Sequence, residues 1–459
     1  MMGNISCERV YTLTTTIDVC AALDYFKHYM PLYRKLELRI WHDLKNGFVQ
    51  NRSKYISSLI VVFGVTKRTV NSAFNNMNGR LKAQRALLKQ QKQVLTNKIA
   101  AIDSAIVKLK NQINTLKQLV IKDVNNKELV RRYKCKKSRL FALQQKKLRY
   151  SNIIKDRKVS LCFGTKKLFK KQYNLKENGY RNHNQWLKDF RKARDNSIFY
   201  LGCATEVKGN QNFQLSYNEV EDKFSFKIRT EKYDVAVDKA DKANYILLNN
   251  IDFKYKWLKE LLKSMLKYSI PLTYRIRYRN NKYYLDIIFS VSWHYQEAHQ
   301  NGCIGIDFNN GFLASVETDS KGNIEKVGRY NLKHHGCGTK ARAEMEETIS
   351  KIVREAMQKY KALAIEDLDF IKKKSSLIRK SNKGYSKMLH QLDYSRFKSC
   401  CENFCPRYGV ELRKVNPAYS SQIGKQKYVF SRKLNVHTSA AYIIARRGQY
   451  FIDKLEKVV

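Results

Sequence analysis

At 459 residues, with 43% hydrophobic content, 29 Tyr and 21 Phe, the chain carries material for several packed cores, which excludes a disordered tail. Lys and Arg number 89 against 40 Asp and Glu, a formal charge of +49 spread along the whole length, and such self-repulsion calls for a polyanionic partner, nucleic acid. No apolar stretch approaches the roughly 20 residues that cross a bilayer, which disfavours a membrane partner.

The opening MMGNISCERVYTL lacks a basic region followed by an apolar one and a cleavage pattern, so the protein is expected in the cytoplasm, associated with the nucleoid. The ten cysteines show no framework spacing and should stay reduced there. With only four prolines the domains must be joined by tight connections. Residues 17–46 carry Val19, Leu23, Phe26, Met30, Tyr33, Leu36 and Ile40 at helical spacing, which predicts an amphipathic helix interrupted near Pro31. Residues 56–78 then read as helix, turn at Gly64, N-cap at Thr66 and a second helix bearing Lys67, Arg68 and Asn71. That pattern fits a helix-turn-helix able to touch nucleic acid, and also an ordinary helical corner.

Residues 80–156 are rich in Lys, Gln and Leu, with an apolar stripe from Leu88 to Leu116 that breaks at Asp123–Asn126 and resumes from Leu129 to Leu148. The expectation is an antiparallel helical hairpin whose basic faces either track phosphates or are merely solvated. From Ile198 to Trp293 the pattern changes to short alternating runs: FYLGCATEV, FQLSY, FSFKIRT, DVAV and YRIRYRNNKYYLDIIFSV. The last is a hairpin turning at Asn280-Asn281, and its Arg275, Arg277 and Tyr278 interleave cations with an aromatic ring, a surface suited to phosphates and bases. A helical insertion, Tyr255 to Tyr268, interrupts this β-rich region.

After residue 300 the order is strand (CIGIDF), hairpin, helix, strand (ALAIEDL), helix, strand (VELRKV) and helix (NVHTSAAYIIARRG). This βββαβαβα succession is that of an RNase H-like sheet. Asp307 and Glu366 close two apolar strands, and His437 stands in the first turn of the last helix. Two Mg²⁺ ions about 4 Å apart, or Mn²⁺ in their place, activate water and stabilise a leaving 3′ oxygen, and they need hard oxygen ligands on rigid elements. Asp307 and Glu366 meet that need; His437 offers a neutral imidazole and one negative charge fewer than an aspartate. Lys372, Lys373, Lys374, Arg379 and Lys380 follow Glu366 and either steer a strand toward the metals or form a solvated loop that merely adds charge. Arg446 and Arg447 on the last helix either hold phosphate or pair with local acids. Cys400, Cys401 and Cys405 lack a second CxxC, so no structural zinc is expected, and the His334-His335-Gly336-Cys337 stretch offers metal ligands but reads more simply as a polar loop.

GIDFNNGFLA, LAIEDLDF, VNPAYSSQIGKQKY and HTSAAYIIARRG resemble the three RuvC segments of TnpB proteins, the insertion-sequence ancestors of compact type V CRISPR effectors. The resemblance is strong from about residue 200 onward and architectural upstream. It implies an α+β, multidomain protein: residues 1–16 as the first strand of a β-rich wedge domain, 17–197 as a helical recognition lobe, 198–299 as the rest of the wedge, and 300–459 as the RuvC nuclease domain. It further implies a guide RNA, a double-stranded DNA target beside a short flanking motif, and Mg²⁺ held by Asp307 and Glu366. The sequence departs from the family at His437, where an Asp is usual, and between the second and third segments, where the CxxC zinc ribbon is missing. The two readings that follow are an RNA-guided DNA endonuclease and, resting on His437, a binding protein that holds RNA and DNA without cutting, as repressor or transposition accessory factor. A DNA-strand transposase is disfavoured, for there is no HUH motif with a nearby nucleophilic Tyr.

Overall fold

A computed structural model describes residues 4–19, 23–206, 209–230, 245–334, 338–368 and 394–455. Strand β1 (Asn4–Ile17) is followed by helix α1 (Leu23–Asn46), which runs through Pro31 without the expected interruption. A proline inside a helix costs about 3 kcal/mol. Phe26, Tyr29, Met30, Tyr33, Leu36 and Ile40 are buried on both sides of it, each contributing roughly 1.5–3 kcal/mol, and burial outweighs the lost hydrogen bond. Helix α2 (Arg52–Phe63) starts at Asn51, whose side chain accepts from the Lys54 N–H, and stops at Gly64 in the left-handed region.

Helix α3 (Lys67–Lys122) then continues for 56 residues. The helix-turn-helix and the hairpin, expected as separate segments, therefore share one helix. Gly79 lies inside it, and its cost of about 1 kcal/mol is too small to end it. Helix α4 (Lys127–Asp156) returns after a break at Asp123–Asn126, as the spacing predicts. The Lys147–Asp103 ion pair (2.7 Å) and the Lys136–Gln112 hydrogen bond (2.5 Å) hold the two arms antiparallel.

Short helix α5 (Lys166–Lys170) and helix α6 (His183–Arg194) lead into β2 (Ser197–Tyr200), β3 (Phe213–Asn218), β4 (Lys223–Arg229), β5 (Tyr245–Ile251), α7 (Lys256–Lys267), β6 (Thr273–Arg279) and β7 (Lys282–Gln296). The strand expected at DVAV lies outside the described residues. Strand β5 escaped sequence reading because only Leu248 and Ile251 of it are buried, so it shows no alternation. The turn at Asn280-Asn281 is as expected, with both residues at positive φ (49° and 57°). The final stretch holds β8 (Cys303–Asn309), β9 (Phe312–Thr318), β10 (Ile324–Asn331), α8 (Thr339–Gln358), β11 (Ala362–Glu366), α9 (Tyr394–Arg407), β12 (Leu412–Val415), α10 (Ser420–Lys427) and α11 (Val436–Gly448). Its succession is the expected one with α10 added. Among the described residues no helix is long and apolar enough to cross a membrane.

The chain divides into two compact units. The first comprises Val10–Lys92 and Lys155–Val291. It contains the antiparallel sheet β3-β4-β5 and most of the four-stranded sheet β1-β7-β6-β2. In the latter, the fully buried Asp286 accepts from Arg275 (2.7 Å), from Arg277 twice (2.6 Å each) and from Thr14 (2.8 Å).

The second unit comprises the residues up to Arg9, Gln93–Ile154 and the residues from Ser292 on. Its five-stranded sheet has the order β10-β9-β8-β11-β12, with β8, β9 and β10 antiparallel and β11 parallel to both β8 and β12. Strand pleating sends alternate residues to opposite faces. Ile304, Ile306, Leu363 and Ile365 pack against α8 and α9, while Cys303, Ala362 and Ala364 pack against α11. Contact with α11 is close enough that a Cβ on Gly305 would lie 2.2 Å from the Ala441 carbonyl oxygen, and one on Gly448 would lie 2.7 Å from Cys303 Sγ. Cys400, Cys401 and Cys405 belong to the α8/α9 core, where burial drives the Cys401 thiol well above its ordinary pKa.

Candidate active site

Parity in the pleat decides where the carboxylates go. Residues 303, 305 and 307 share the α11 side of β8, and 362, 364 and 366 share the α11 side of β11. The strands are adjacent and parallel, registered through Ile365 and Ile306, so Asp307 and Glu366 each stand one residue beyond the last registered pair. Both carboxylates thus leave the same end and the same face of the sheet.

Asp307 is largely buried, its side chain 14% exposed. The Asn309 amide donates to its Oδ2 at 2.9 Å, and His437 Nδ1 lies 3.4 Å from the same oxygen. Burial pushes the Asp307 carboxyl above the ordinary carboxylate range, against the hydrogen bond from Asn309 and the charge of His437. His437 is half exposed and meets the Phe312 ring edge-on, the centroids 5.1 Å apart. Its height is set by Asn435, the α11 N-cap, whose side chain accepts from the backbone N–H of His437 and of Thr438 at 2.9 Å each. Asn435→Ala should cost about 1 kcal/mol and lower the melting temperature by about 2–4 °C, read by thermal denaturation.

Glu366 is held differently. Ser420 donates its hydroxyl to Oε1, and Tyr394 donates its hydroxyl to the Glu366 backbone carbonyl. Ser420 opens α10 directly after Tyr419, a non-glycine residue at φ 60°. Arg447 forks onto the Asn416 and Ala418 carbonyls (2.5 and 2.8 Å), which fixes the approach to that turn. Burial lowers the Arg447 pKa while the Glu366 carboxylate raises it. Ser420, Asn309 and Tyr394 were not identified from sequence. Asn309 carried a signal, since it opens the Asn-Asn-Gly turn two residues after Asp307; Ser420 and Tyr394 carried none.

Asp307 and His437 come together, with Glu366 on the neighbouring strand. Among the described residues, no group of three or more His, Cys, Asp or Glu is arranged to hold a metal ion. The donor chemistry nonetheless fits magnesium at the two carboxylates, because hard oxygens at strand ends, one of them disfavoured as a buried charge, are what such a cation relieves. The nitrogen of His437 suits a softer ion better.

The other candidates lie elsewhere in the chain. Arg446 is committed within its unit, donating to Asp453 (2.8 Å) and the Gly322 carbonyl (3.2 Å). Arg275 and Arg277 neutralise Asp286, and the Tyr278 hydroxyl donates to Asn281 (3.2 Å). Arg68 pairs with Glu206 (2.8 Å) and the Leu201 carbonyl, whereas Lys67 is exposed. Lys372, Lys373, Lys374, Arg379 and Lys380 lie outside the described residues, as do His335 and Cys337. His334 Nδ1 lies 3.2 Å from Glu344.

No protein-family model matches the chain, and no curated protein sequence does. Among solved structures, the Cas12i1 R-loop complex after target DNA cleavage aligns with 89% of this chain and 50% of that chain, at 11% identity and a TM-score of 0.27. The Cas12i1–crRNA binary complex gives 89% and 52%, 11% identity and 0.26. The Cas12f1–sgRNA–target DNA complex gives 77% and 93%, 13% identity and 0.21. The aligned part of this chain spans about half the length of the Cas12i1 chains.

Proposed function

We propose that the chain is an RNA-guided DNA endonuclease of the TnpB type, encoded by or derived from a transposable element, with guide RNA and double-stranded DNA as partners. The observation that carries this reading is the placement of Asp307 and Glu366 on one face and at one end of adjacent parallel strands, with His437 reaching Asp307 from α11. Support for an RNase H-like, RuvC-type domain over 300–459 comes from the strand order β10-β9-β8-β11-β12. The charge of +49 supports a polyanionic partner. Base pairing would supply sequence specificity while the protein holds duplex shape.

Magnesium held by Asp307 and Glu366 would supply an activated water and charge neutralisation at the leaving oxygen. The side chains around the carboxylates do the positioning. Asn309 and His437 orient Oδ2 of Asp307, and Ser420 orients Oε1 of Glu366. His437→Ala removes a polar contact to a charged oxygen, of a kind worth about 1.5–3 kcal/mol, and should slow cleavage by about 10- to 150-fold. His437→Asp should lower the Mg²⁺ concentration needed for half-maximal cleavage, since it adds a hard, negatively charged donor. Both follow from metal titrations of the cleavage rate.

The reading is tested by incubating purified ribonucleoprotein with matched DNA and Mg²⁺: cleavage that Asp307→Ala abolishes supports it, and no nicking at all refutes it. A second reading, binding without cutting, is favoured by His437 lying against the oxygen that a metal would use. It expects target binding to be indifferent to divalent metal and to Glu366→Gln.

A further inference from the structure

In the unit formed by Val10–Lys92 and Lys155–Val291, a cavity of about 440 Å³ opens between α1, the segment 157–165, α5 and α6. Phe163, Phe169, Phe190 and Leu38 line it, with Lys166 and Lys170 among its lining residues. Its size lies within the range of about 300–1,000 Å³ usual for ligand pockets.

The aromatic walls are held from behind. Phe190 stacks on Trp186 with centroids 5.2 Å apart and planes 15° apart, and the Trp186 indole N–H donates to the Leu168 carbonyl at 2.8 Å. The Phe163 ring lies under the Arg34 guanidinium (4.8 Å) and meets Trp41 edge-on (6.5 Å). Phe169, 39% exposed, lies 5.7 Å from Phe190. These rings do not need to collapse to stay packed.

Two further observations point to what the cavity takes. Ser160, Leu161 and Cys162 line it, and among the described residues no backbone group from 157 to 163 pairs with another backbone group. N–H and C=O groups that no other backbone group takes up are hydrogen-bonding capacity that a ligand can use in place of water; the Phe163 carbonyl is the exception, since it accepts from Cys162 Sγ (3.9 Å). Lys166 and Lys170 are both exposed, and neither has a carboxylate partner among the described residues. Arg194 contributes no free charge, because Asp195 accepts from it twice, at 2.6 and 2.8 Å. A packing void would need only the apolar walls. A flat ring with hydrogen-bonding edges, attached to an anion, uses all three features.

We infer that this cavity binds one unpaired nucleotide of a single-stranded nucleic acid, its base among Phe163, Phe169 and Phe190, its edge on the 160–162 backbone and its phosphates on Lys166 and Lys170. This goes beyond the cleavage site and does not depend on cleavage. Base–aromatic stacking is worth about 1–3 kcal/mol per base by alanine substitution, and each phosphate contact on a single strand changes the salt slope by about 0.7.

The test uses the full chain and short single strands of RNA and of DNA carrying 2-aminopurine at one position. Bound 2-aminopurine should be quenched. Phe169→Ala, and Ser160→Trp, which fills the mouth, should each raise Kd roughly tenfold without lowering the melting temperature. The Lys166→Ala/Lys170→Ala double variant should reduce the salt slope by about 1.4. The stronger of the RNA and DNA arms identifies the strand. The inference is overturned if Phe169→Ala and Ser160→Trp bind as wild type while equally folded. It is also overturned if an abasic substitution at every position in turn costs the wild type no affinity.

Discussion

Asp307→Asn should slow Mg²⁺-dependent cleavage by about 10³-fold or more and at the same time raise the melting temperature of the metal-free protein. The rate effect follows from losing a metal-holding oxygen anion, where several kcal/mol of transition-state stabilisation is at stake and each 1.36 kcal/mol is tenfold. The stability effect follows from burial. Because burial raises the folded-state pKa of Asp307 above its unfolded value, the ionised carboxylate is the disfavoured form in the folded chain. Stability is therefore greatest at low pH for this group and falls as pH rises through the folded pKa, leaving the full cost above it. An amide of the same shape carries no such cost. Wild type should in turn be stabilised by added Mg²⁺ and the variant much less. Thermal denaturation with and without Mg²⁺ reads both effects; a variant that melts lower than wild type and still responds fully to Mg²⁺ would mean that Asp307 is only structural.

Asp286→Ala should have a large effect on folding. The carboxylate is 0% exposed and accepts from Arg275, Arg277 and Thr14, so its removal leaves two adjacent guanidiniums on the β1-β7-β6 sheet without their counter-charge and the Thr14 hydroxyl without its acceptor. Breaking a buried pair from one side costs about 3–5 kcal/mol. The arginine side chains are 35% and 33% exposed and recover some hydration, which brings the expectation to about 2–4 kcal/mol. Burial works to raise the Asp286 pKa, but Arg277, Thr14 and Arg275 prevail and hold it below the ordinary value. A depressed carboxylate stabilises the fold above its unfolded pKa, and that contribution disappears as pH falls through the folded pKa. The wild type should accordingly lose more stability on acidification than Asp286→Ala does, which urea titrations at neutral and acidic pH would detect. Equal losses would show that the cluster is not coupled to folding.

How far the sequence carries differs from one element to the next. Period-two spacing in CIGIDF and ALAIEDL determines which residues share a face, so the positions of Asp307 and Glu366 were legible once each run was read as a strand. His437 was legible because Asn435 starts a helix two residues earlier. Arg275 and Arg277 are the instructive case. A surface for phosphates was one reading of that stretch, yet the two-residue turn at Asn280-Asn281 places Arg275 directly opposite Asp286, and the hairpin register itself contains the ion pair. The supports of Glu366 were beyond reach, because Ser420 comes from 54 residues away and depends on a left-handed backbone at Tyr419. The unbroken helix through Pro31 was missed because local propensity lost to tertiary burial.

The close approach of α11 to its sheet bears on how a saturation mutagenesis screen of this protein would read. At Gly305 and Gly448 any side chain meets backbone or sulfur within 2.7 Å, and at Gly424 a Cβ would lie 2.8 Å from the Ser439 carbonyl. Substitutions there displace the helix that carries His437 and should score as severely as changes at Asp307, although these glycines offer no functional group to DNA or metal. Activity alone would count them as catalytic. Scoring soluble yield alongside activity separates the two classes: Asp307 and Glu366 variants accumulate as folded protein, and the glycine variants do not.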